Sequence, residues 1–479
     1  MTRPDIATYM ILNRFSRNIS YNTIQLIINQ LFGLAIFYGL SKGLDKNIFG
    51  QINWSLAVLL TLFGVLTFGI DQIMIQKIAA GYNKQSVFTA YLFHVIVSGG
   101  FFYCILLLLY WLFPNSISKQ TLLLIIGLGK LCIFISTPFK QLAAGLEKFR
   151  ELFLMSITSN IIRGLAVIIL LLLHSLTVTY VLVIFILGDL SELILCVILS
   201  RPLLQSSFKI RWNKQRQILL LKESLPQTGV VFFSAIMSRF DWILIGIVIS
   251  SSKLAEYSFA YKIFEVSTLP LLIIAPIMIP LFTRLHKSSQ NLNNIFFFLE
   301  WQIIIASFIA LLLNVCWIPV IDFISDGKYG KVNSETIFLL SLSMPLLYFN
   351  NYLWTINFAK GNLKHIFFVM AFSFIINITA CSILIPIMKN EGAAIAYFVT
   401  ALTQLILYIQ KNPLSPLKNR WYYLLLWPFA AIFSGLIAFK YSAQPLNRIS
   451  IAISIFLFIV FGSKQVRPGN WKTLQSLYQ

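Results

Sequence analysis

Charged side chains are scarce in this chain, and acidic side chains are the scarcest of them. Only 11% of its 479 residues are Asp, Glu, Lys or Arg, and Asp and Glu together number 16, whereas 58% of the residues are apolar. A water-soluble globule of this size needs far more polar surface than such a composition provides. The composition therefore excludes a soluble protein and indicates a protein whose solvent is lipid.

Cysteine and histidine are also rare and scattered, which removes several classes of chemistry. The five cysteines lie in apolar runs without ligand spacing, so we interpret them as small buried side chains and expect neither a disulfide nor a metal site. The four histidines lack the i,i+4 pairing of a zinc protease, and the segment 127–130 (GLGK) lacks the rest of a phosphate-binding loop. We therefore expect no enzymatic activity and no cofactor.

Long apolar runs are what the chain has in abundance. About fourteen of them, between residues 21 and 463, reach the roughly 20 residues that a helix needs to cross a bilayer. Of the 37 Lys and Arg residues, 24 lie in the two termini and every second loop, 9 lie in the other loops, and four lie within spans. Because cytoplasmic loops carry the basic excess, this pattern predicts an even number of spans and two cytoplasmic termini.

The same bias explains the net charge of +21, together with attraction to anionic lipid head groups. Membrane lipids are therefore the expected partners, and nucleic acid is not. The first span, near 21–40, follows a polar arm that holds Arg3, Arg14 and Arg17. This span is too long for a signal peptide and lacks a cleavage pattern, so we expect it to stay in the mature protein.

The longest hydrophilic stretch divides the spans into six before it and eight after it. A weak echo across this division, 27 residues from Gly50 to Lys77 and 26 from Ser258 to Arg284, favours parallel repeats with a substrate site at their interface. The alternative is that the two helical hairpins resemble each other by chance and are not repeats. The chain is predicted to have four parts. Residues 1–199 form an N-terminal six-helix bundle and residues 200–224 a basic cytoplasmic linker. Residues 225–410 form a C-terminal six-helix bundle, and residues 411–479 form transmembrane helices 13 and 14 with a cytoplasmic tail.

Three groups of motifs along residues 20–410 resemble one family of transporters. The first group is LDKNIFG at 44–50, FGID at 68–71 and QKIA at 76–79. The second is SRFDWILIG at 238–246 and AEYSFAYK at 255–262, with Pro280. The third is Gly361, Asn377, Ile385-Pro386 and EGAAIA at 391–396. These motifs are similar to those of bacterial polysaccharide flippases of the O-antigen type. That family belongs to the multidrug/oligosaccharidyl-lipid/polysaccharide (MOP) exporter superfamily.

The resemblance implies an all-α integral membrane fold of about 14 transmembrane helices. Two six-helix bundles would form a V like that of multidrug and toxic compound extrusion (MATE) transporters, and two accessory C-terminal helices would cradle a lipid tail. The implied function is to move undecaprenyl-diphosphate-linked oligosaccharide, such as an O-antigen repeat unit of lipopolysaccharide, from the cytoplasmic to the periplasmic leaflet of the bacterial inner membrane. A polysaccharide polymerase and a chain-length regulator are the implied partners, and we expect the transporter to work as a monomer by alternating access.

Ionisable residues inside the spans are the candidate functional site, because each costs roughly 2.5–3.5 kcal/mol to insert and is usually kept for a pathway. A diphosphate cannot cross hydrocarbon bare, and cationic side chains along a wet cleft can replace its hydration. The predicted substrate-binding residues are Arg239, Lys262, Lys130 and Arg163. The predicted charge-pair or coupling residues are Asp241, Glu265, Asp189 and Glu192.

Arg239, in the middle of the seventh span, is the first choice for a diphosphate contact because a guanidinium can clamp two phosphate oxygens. The alternative is a buried pair with Glu265 on the next span. Asp241 lies about 200° round the same helix from Arg239, so the two are not expected to neutralise each other. Lys262 and Glu265 stand three residues apart and can bridge each other.

Arg163 and Asp189 lie at depths that differ by only about 3 Å on the fifth and sixth spans. This similarity favours a salt bridge between the two helices. Glu192 shares a face with Asp189, so it would be the carboxyl left to titrate and a candidate coupling site. A proton, a sodium ion and the membrane potential are the alternative driving forces for transport.

Three other functions compete with the flippase. A multidrug or small-solute exporter of the same superfamily would need an acidic or aromatic cavity, since Arg239 and Lys262 repel a cationic drug. A membrane glycosyltransferase or polymerase would need a catalytic base and a sizeable external loop, whereas the longest one is about 322–335. A purely structural membrane protein would have little reason to keep so many buried charges.

Overall fold

The computed structural model describes residues 6–112, 117–204, 214–274, 278, 282, 293–411 and 421–463, which form helices and turns without a strand among them. Pro280, residues 205–213 of the basic linker and the C-terminal tail from residue 464 lie outside the described residues. The helices of the first part of the chain are α1 Ile6–Gly43, α2 Lys46–Leu66, α3 Ile70–Ala79, α4 Lys84–Leu112, α5 Ile117–Gly145, α6 Phe149–Leu172, α7 Val178–Leu204, α8 Lys214–Met237 and α9 Phe240–Leu244. Those that follow are α10 Ser251–Ser267, α11 Asn293–Val315, α12 Trp317–Ile324, α13 Ser334–Leu342, α14 Met344–Ala359, α15 Leu363–Lys411, α16 Trp421–Tyr441 and α17 Pro445–Gly462.

Polar side chains and a glycine in the first motif group set the ends of the early helices. Asp45 caps α2, because its Oδ2 accepts a hydrogen bond from the Asn47 amide at 2.9 Å. Gly69 has φ +68° and separates α2 from α3, a conformation that glycine adopts without steric cost. Asn83 Oδ1 accepts from the Ser86 amide at the start of α4. Asp45 and Gly69 of the first motif group, and Asn83 outside it, therefore define where these helices start and stop.

The helices are long and apolar enough for a multi-pass membrane protein. Among the described residues, eleven can cross a membrane by length and composition, or up to thirteen if each of two bent helix pairs forms one span. Large apolar side chains lie on their outer surfaces, such as Phe101, Phe323 and Phe458, which are 69%, 84% and 79% exposed. In water such exposure is unfavourable, whereas in lipid it is the expected arrangement.

The 49-residue helix α15 holds two of the fourteen predicted spans, one on each side of residue 389. A straight helix of this length would measure about 74 Å, more than twice the hydrocarbon thickness. Lys389 has φ 53° and ψ −122°, which is not helical, and Asn377 Nδ2 donates to Thr400 Oγ1 at 3.2 Å across 23 residues. The chain therefore folds back at Lys389. With α15 counted as two spans and each bent pair as one, the fourteen predicted spans are recovered.

The first helix begins before the membrane span that it contains. The segment before residue 21 was expected to be a polar arm, but α1 runs continuously from Ile6 to Gly43. Its apolar part, Tyr21–Gly43, is the portion with the length and hydropathy of a membrane span. Residues 6–20 of the basic arm, which include Arg14 and Arg17, are thus an extension of the first helix.

The described chain forms two compact units, Met1–Ala255 and Glu256–Gln479. In the first unit α5 packs against both α4 and α7, α6 packs against α1 and α7, and α8 packs against α2. In the second unit α11 packs against α14, α16 and α17, and α14 packs against α15. The unit boundary follows the seventh predicted span, so α8 packs with the N-terminal helices. The predicted division at 199, 224 and 410 remains a prediction.

Candidate functional site

Three helices of the first unit bring a cluster of charged side chains together inside the bundle. Asp189 on α7 is fully buried, and its two carboxylate oxygens face two cations. Lys130 Nζ on α5 lies 3.2 Å from Asp189 Oδ2, and Arg163 on α6 forms an ion pair with Asp189 Oδ1. Lys130 and Arg163 are each only 8% exposed. The interhelical pair of Arg163 and Asp189 expected from the sequence is present, and Lys130 joins it.

Glu192, one turn further along α7, is also paired. It accepts a hydrogen bond from Ser159 Oγ on α6 and forms an ion pair with Lys140 on α5. The expectation that Glu192 is left over once Asp189 is neutralised is therefore wrong, because Lys140 reaches it. A helix that ended at Pro138 would leave Lys140 outside the span, but α5 continues through Pro138 to Gly145.

Sequence reasoning missed Lys140 and Ser159 as members of this charge cluster, which we define as Lys130, Lys140, Ser159, Arg163, Asp189 and Glu192. One pattern pointed to Ser159. It stands four residues before Arg163, and Glu192 stands three after Asp189, so each pair lies on one helix face. Once Arg163 meets Asp189, the matching spacing brings Ser159 towards Glu192. No comparable pattern identifies Lys140, because Pro138 suggests a helix end.

Two glycines make room for the charge cluster. A Cβ atom on Gly129 would lie 2.7 Å from Asp189 Oδ2, and a Cβ atom on Gly188 would lie 2.7 Å from Arg163 Cγ. Both distances are too short for any side chain. The absence of a side chain at these two positions lets α5, α6 and α7 approach closely enough for their charges to pair.

The charge cluster holds three cations against two carboxylates, so the first unit carries surplus positive charge between its helices. The Arg163 guanidinium also lies 5.3 Å from the Phe185 ring centroid, over its face. All five charged groups have an ion-pair partner within the bundle. The assignment of Lys130 and Arg163 as substrate contacts, and of Asp189 and Glu192 as coupling residues, stays a prediction.

Arg239 lies at a break in the seventh span, not within a continuous helix. The helix α8 ends at Met237, α9 begins at Phe240, and the two segments are bent by 48°. The expected 200° separation of Arg239 from Asp241 assumed a regular helix, so it does not apply. The Arg239 guanidinium lies 4.6 Å from the Trp242 ring centroid, and the buried Asp241 accepts from the Trp242 amide at 2.9 Å.

Backbone groups after this break bond to side chains from other helices. A π-helical turn, Ile245–Ile249, follows α9. Trp54 Nε1 donates to Ile243 O at 3.2 Å, and Lys119 Nζ donates to Gly246 O at 3.1 Å. In membrane proteins interrupted helices are tolerated where such partners exist, and transporters use them to form binding sites. The break therefore places Arg239 at an interrupted helix, the kind of position where transporters form binding sites and which an uninterrupted span does not provide.

Lys262 and Glu265 form an ion pair within the second unit. Lys262 Nζ lies 2.8 Å from Glu265 Oε2 on the same helix, as the spacing of three residues allowed. Glu265 also lines a cavity of about 270 Å³ together with Tyr261, Phe264, Thr268, Leu271, Leu347, Asn350, Asn351, Trp354, Met370, Tyr397, Gln404 and Tyr408. The spacing of Lys262 and Glu265 predicted the pair, but no sequence pattern indicated this cavity, whose lining includes aromatic and amide side chains.

The sequence of this chain matches the model of a known protein family. A family model described as polysaccharide biosynthesis protein matches residues 15–286, more than half of the sequence. The chain belongs to this family. No curated protein sequence matches it.

Solved structures show that this member of the polysaccharide biosynthesis family has the fold of MOP superfamily transporters. A lipid II flippase, MurJ, in an inward closed conformation superposes with a TM-score of 0.74 at 15% identity, over 94% of this chain and all of that one. An inward-facing MATE multidrug transporter of the MOP superfamily gives 0.64 at 13% identity, over 84% and 99%. A MOP superfamily transporter from Pyrococcus furiosus gives 0.58 at 11% identity, over 87% and 95%. The predicted all-α membrane fold and the family resemblance are confirmed.

Proposed function

We propose that this protein is a flippase that moves an undecaprenyl-diphosphate-linked oligosaccharide from the cytoplasmic to the periplasmic leaflet, without covalent chemistry. The observation that carries the proposal is the surplus of positive charge kept among membrane helices. The charge cluster contributes one net positive charge, and Arg239 places a guanidinium at the break in the seventh span, two residues from the buried Asp241. Membership of a polysaccharide biosynthesis family and a fold shared with a lipid II flippase support the same function.

The chemistry of the substrate explains why such charges are worth keeping. A diphosphate carries negative charge that hydrocarbon does not solvate, and each buried cation is costly without a use. Guanidinium and ammonium groups form short, charge-assisted hydrogen bonds with phosphate oxygens. In this proposal Arg239 contacts the diphosphate first, and Lys262, Lys130 and Arg163 support its passage as their ion pairs rearrange during alternating access.

The second unit offers a place for the lipid tail. An apolar cleft of about 520 Å³ lies between α11, α13 and α16, with Leu311, Ile337, Phe338, Leu436 and Phe439 among its lining residues. An acyl or prenyl chain gains hydrophobic stabilisation in such a cleft in proportion to the area it buries. Because α16 is the thirteenth predicted span, this geometry supports a role of that helix in cradling the tail.

The cellular setting belongs to the same proposal. The carried glycan is an O-antigen or similar repeat unit, the site of action is the bacterial inner membrane, and both termini face the cytoplasm. A polysaccharide polymerase and a chain-length regulator act on the delivered glycan, and the transporter itself works as a monomer. A proton or sodium gradient supplies the driving force through rearrangement of the buried carboxylates Asp189 and Glu192.

The direct test locates the lipid-linked glycan in cells that lack the protein. A membrane-impermeant probe is applied to spheroplasts before and after permeabilisation, in a strain without a second flippase. We expect repeat units to accumulate facing the cytoplasm and to return to the outer face when the intact protein is restored. Normal outward exposure without the protein would contradict the proposal.

A multidrug or small-solute exporter is the alternative, and one observation favours it. The cavity beside Glu265 is aromatic and contains a carboxylate, which suits an organic cation. Lys262 already neutralises that carboxylate at 2.8 Å, which weakens the attraction for a cation. Cation efflux from cells that express the protein, without any change in glycan location, would favour this alternative.

A further inference from the structure

Aromatic and amide side chains supply eight of the thirteen residues that line the cavity in the second unit. Tyr261, Trp354, Tyr397 and Tyr408 present aromatic surface, and Asn350, Asn351 and Gln404 present amide groups. We call it the aromatic–amide cavity. Its volume of about 270 Å³ is at the small end of ligand-binding pockets, which usually enclose about 300–1,000 Å³. It therefore suits one ring-sized group and not a whole oligosaccharide.

Two amide atoms at this cavity have no hydrogen-bond partner within the described residues. Asn350 is only 6% exposed; its Nδ2 donates to Ala401 O at 2.8 Å, but its Oδ1 accepts nothing. Asn351, the next residue, has a buried Nδ2 that donates to nothing. A buried acceptor and a buried donor left without partners are unusual, since most buried polar groups in proteins are hydrogen-bonded. Together they offer one donor and one acceptor to a ligand.

The aromatic–amide cavity carries no unbalanced charge. Among the described residues that line it, Glu265 is the only one charged at neutral pH, and Lys262 neutralises it at 2.8 Å. A phosphate would meet the Glu265 carboxylate, and an organic cation would have to compete with Lys262. An uncharged polar ligand avoids both costs.

We propose that the aromatic–amide cavity binds one uncharged sugar ring of the glycan that the lipid carries. A pyranose ring has two faces of C–H groups and an edge of hydroxyl groups. The faces fit against Trp354 and the tyrosines, and a hydroxyl both donates and accepts, as the free atoms of Asn350 and Asn351 require. This inference rests on the proposed flippase function and adds a glycan-recognition site to it.

The test compares two lipid probes on the full-length protein in lipid nanodiscs. One probe is undecaprenyl diphosphate, and the other is the lipid-linked oligosaccharide extracted from cells that lack the protein. We expect the wild type to bind the glycosylated lipid about tenfold more tightly than the bare lipid. In Asn351→Leu and in Trp354→Ala the two affinities are expected to agree within about twofold, with the affinity for the bare lipid unchanged.

The matched control is Asn447→Leu, the same substitution on the exposed surface of α17 and outside the cavity. It is expected to keep the full preference of the wild type for the glycosylated lipid. Trp354→Ala keeps the test decisive if Asn351→Leu does not fold.

The outcomes separate the two proposals. Binding of neither lipid would overturn the flippase function and this inference with it. Equal binding of both lipids by the wild type would overturn the sugar site and leave the flippase standing. Saturable binding of tetraphenylphosphonium that is lost in both Glu265→Gln and Trp354→Ala would assign the aromatic–amide cavity to a cation and overturn the sugar site.

Discussion

Asp189 is the residue on which the pairing of α5, α6 and α7 depends most. Its carboxylate lies between Lys130 and Arg163 and is fully buried, so it compensates two cations from two other helices. Removing one partner of a buried ion pair leaves an uncompensated charge, which is far more costly than losing an exposed pair.

Asp189→Asn is therefore expected to lower the free energy of unfolding by about 3–5 kcal/mol. The measurement is thermal or denaturant unfolding of the purified protein in detergent. The control is Asp45→Asn, which is exposed and keeps a side chain that caps α2 equally well. The control should change stability by less than about 0.5 kcal/mol. Equal losses in the two variants would contradict the account of the charge cluster.

Arg239 is the residue whose role in transport is tested most simply. Arg239→Ala is expected to abolish transport of the lipid-linked glycan with normal abundance in the membrane, because the diphosphate loses its first cationic contact. Arg239→Lys should keep part of the activity, since lysine retains the charge but not the two parallel hydrogen bonds. The measurement is outward glycan exposure relative to protein amount.

Arg201→Ala serves as the control for this substitution, because Arg201 is exposed near the end of α7. Full transport by Arg239→Ala would remove Arg239 from the proposed mechanism. Equal loss in Arg239→Ala and Arg201→Ala would show that the effect is a general loss of basic charge.

At the scale of the helix, the sequence predicted where the first unit pairs its charges but not how completely. Similar depth on neighbouring spans was enough to match Arg163 with Asp189. The pairing of Lys140 with Glu192 was missed because α5 continues past Pro138, which a sequence-based boundary does not anticipate. The break at Arg239 was also missed, since its motif contains neither proline nor glycine before Gly246.

A charge reversal tests the contact between α5 and α7. Lys140→Glu alone places two carboxylates together, and Glu192→Lys alone places two ammonium groups together, so each variant is expected to lose stability. The double variant restores opposite charges and should recover part of the loss, giving a coupling energy of about 0.5–3 kcal/mol. Unfolding free energies of the four proteins give this coupling. Additive losses would show that the two residues do not interact.

The reversal of α15 at Lys389 is tested by cross-linking. Asn377→Cys and Thr400→Cys, in a chain whose five native cysteines are replaced, are expected to cross-link on mild oxidation because these side chains are in contact. In a straight helix the two positions would be about 34 Å apart. The control pairs Asn377→Cys with Leu402→Cys, which is 37% exposed and lies about 200° round the helix from Thr400. Equal yields in both pairs would argue against the hairpin.

At the scale of the whole molecule, the sequence predicted the class of protein well because that class follows from composition. Scarce charge, repeated apolar runs and alternating basic loops are imposed by the bilayer itself, so they are visible without any tertiary contact. The aromatic–amide cavity was not predictable in this way. It joins Glu265, Asn351 and Gln404, which are separated by 86 and 53 residues, and only the packing of three helices brings them together.

Transport by the purified protein alone is the sharpest test of the proposed flippase function. Proteoliposomes are prepared with lipid-linked oligosaccharide in both leaflets, and a membrane-impermeant reagent modifies the glycan that faces outward. The account predicts that the wild type makes nearly all of the glycan accessible over time, whereas Arg239→Ala and protein-free vesicles expose only the outer-leaflet share. If wild-type vesicles expose no more glycan than protein-free vesicles under any imposed proton or sodium gradient, the flippase account is wrong.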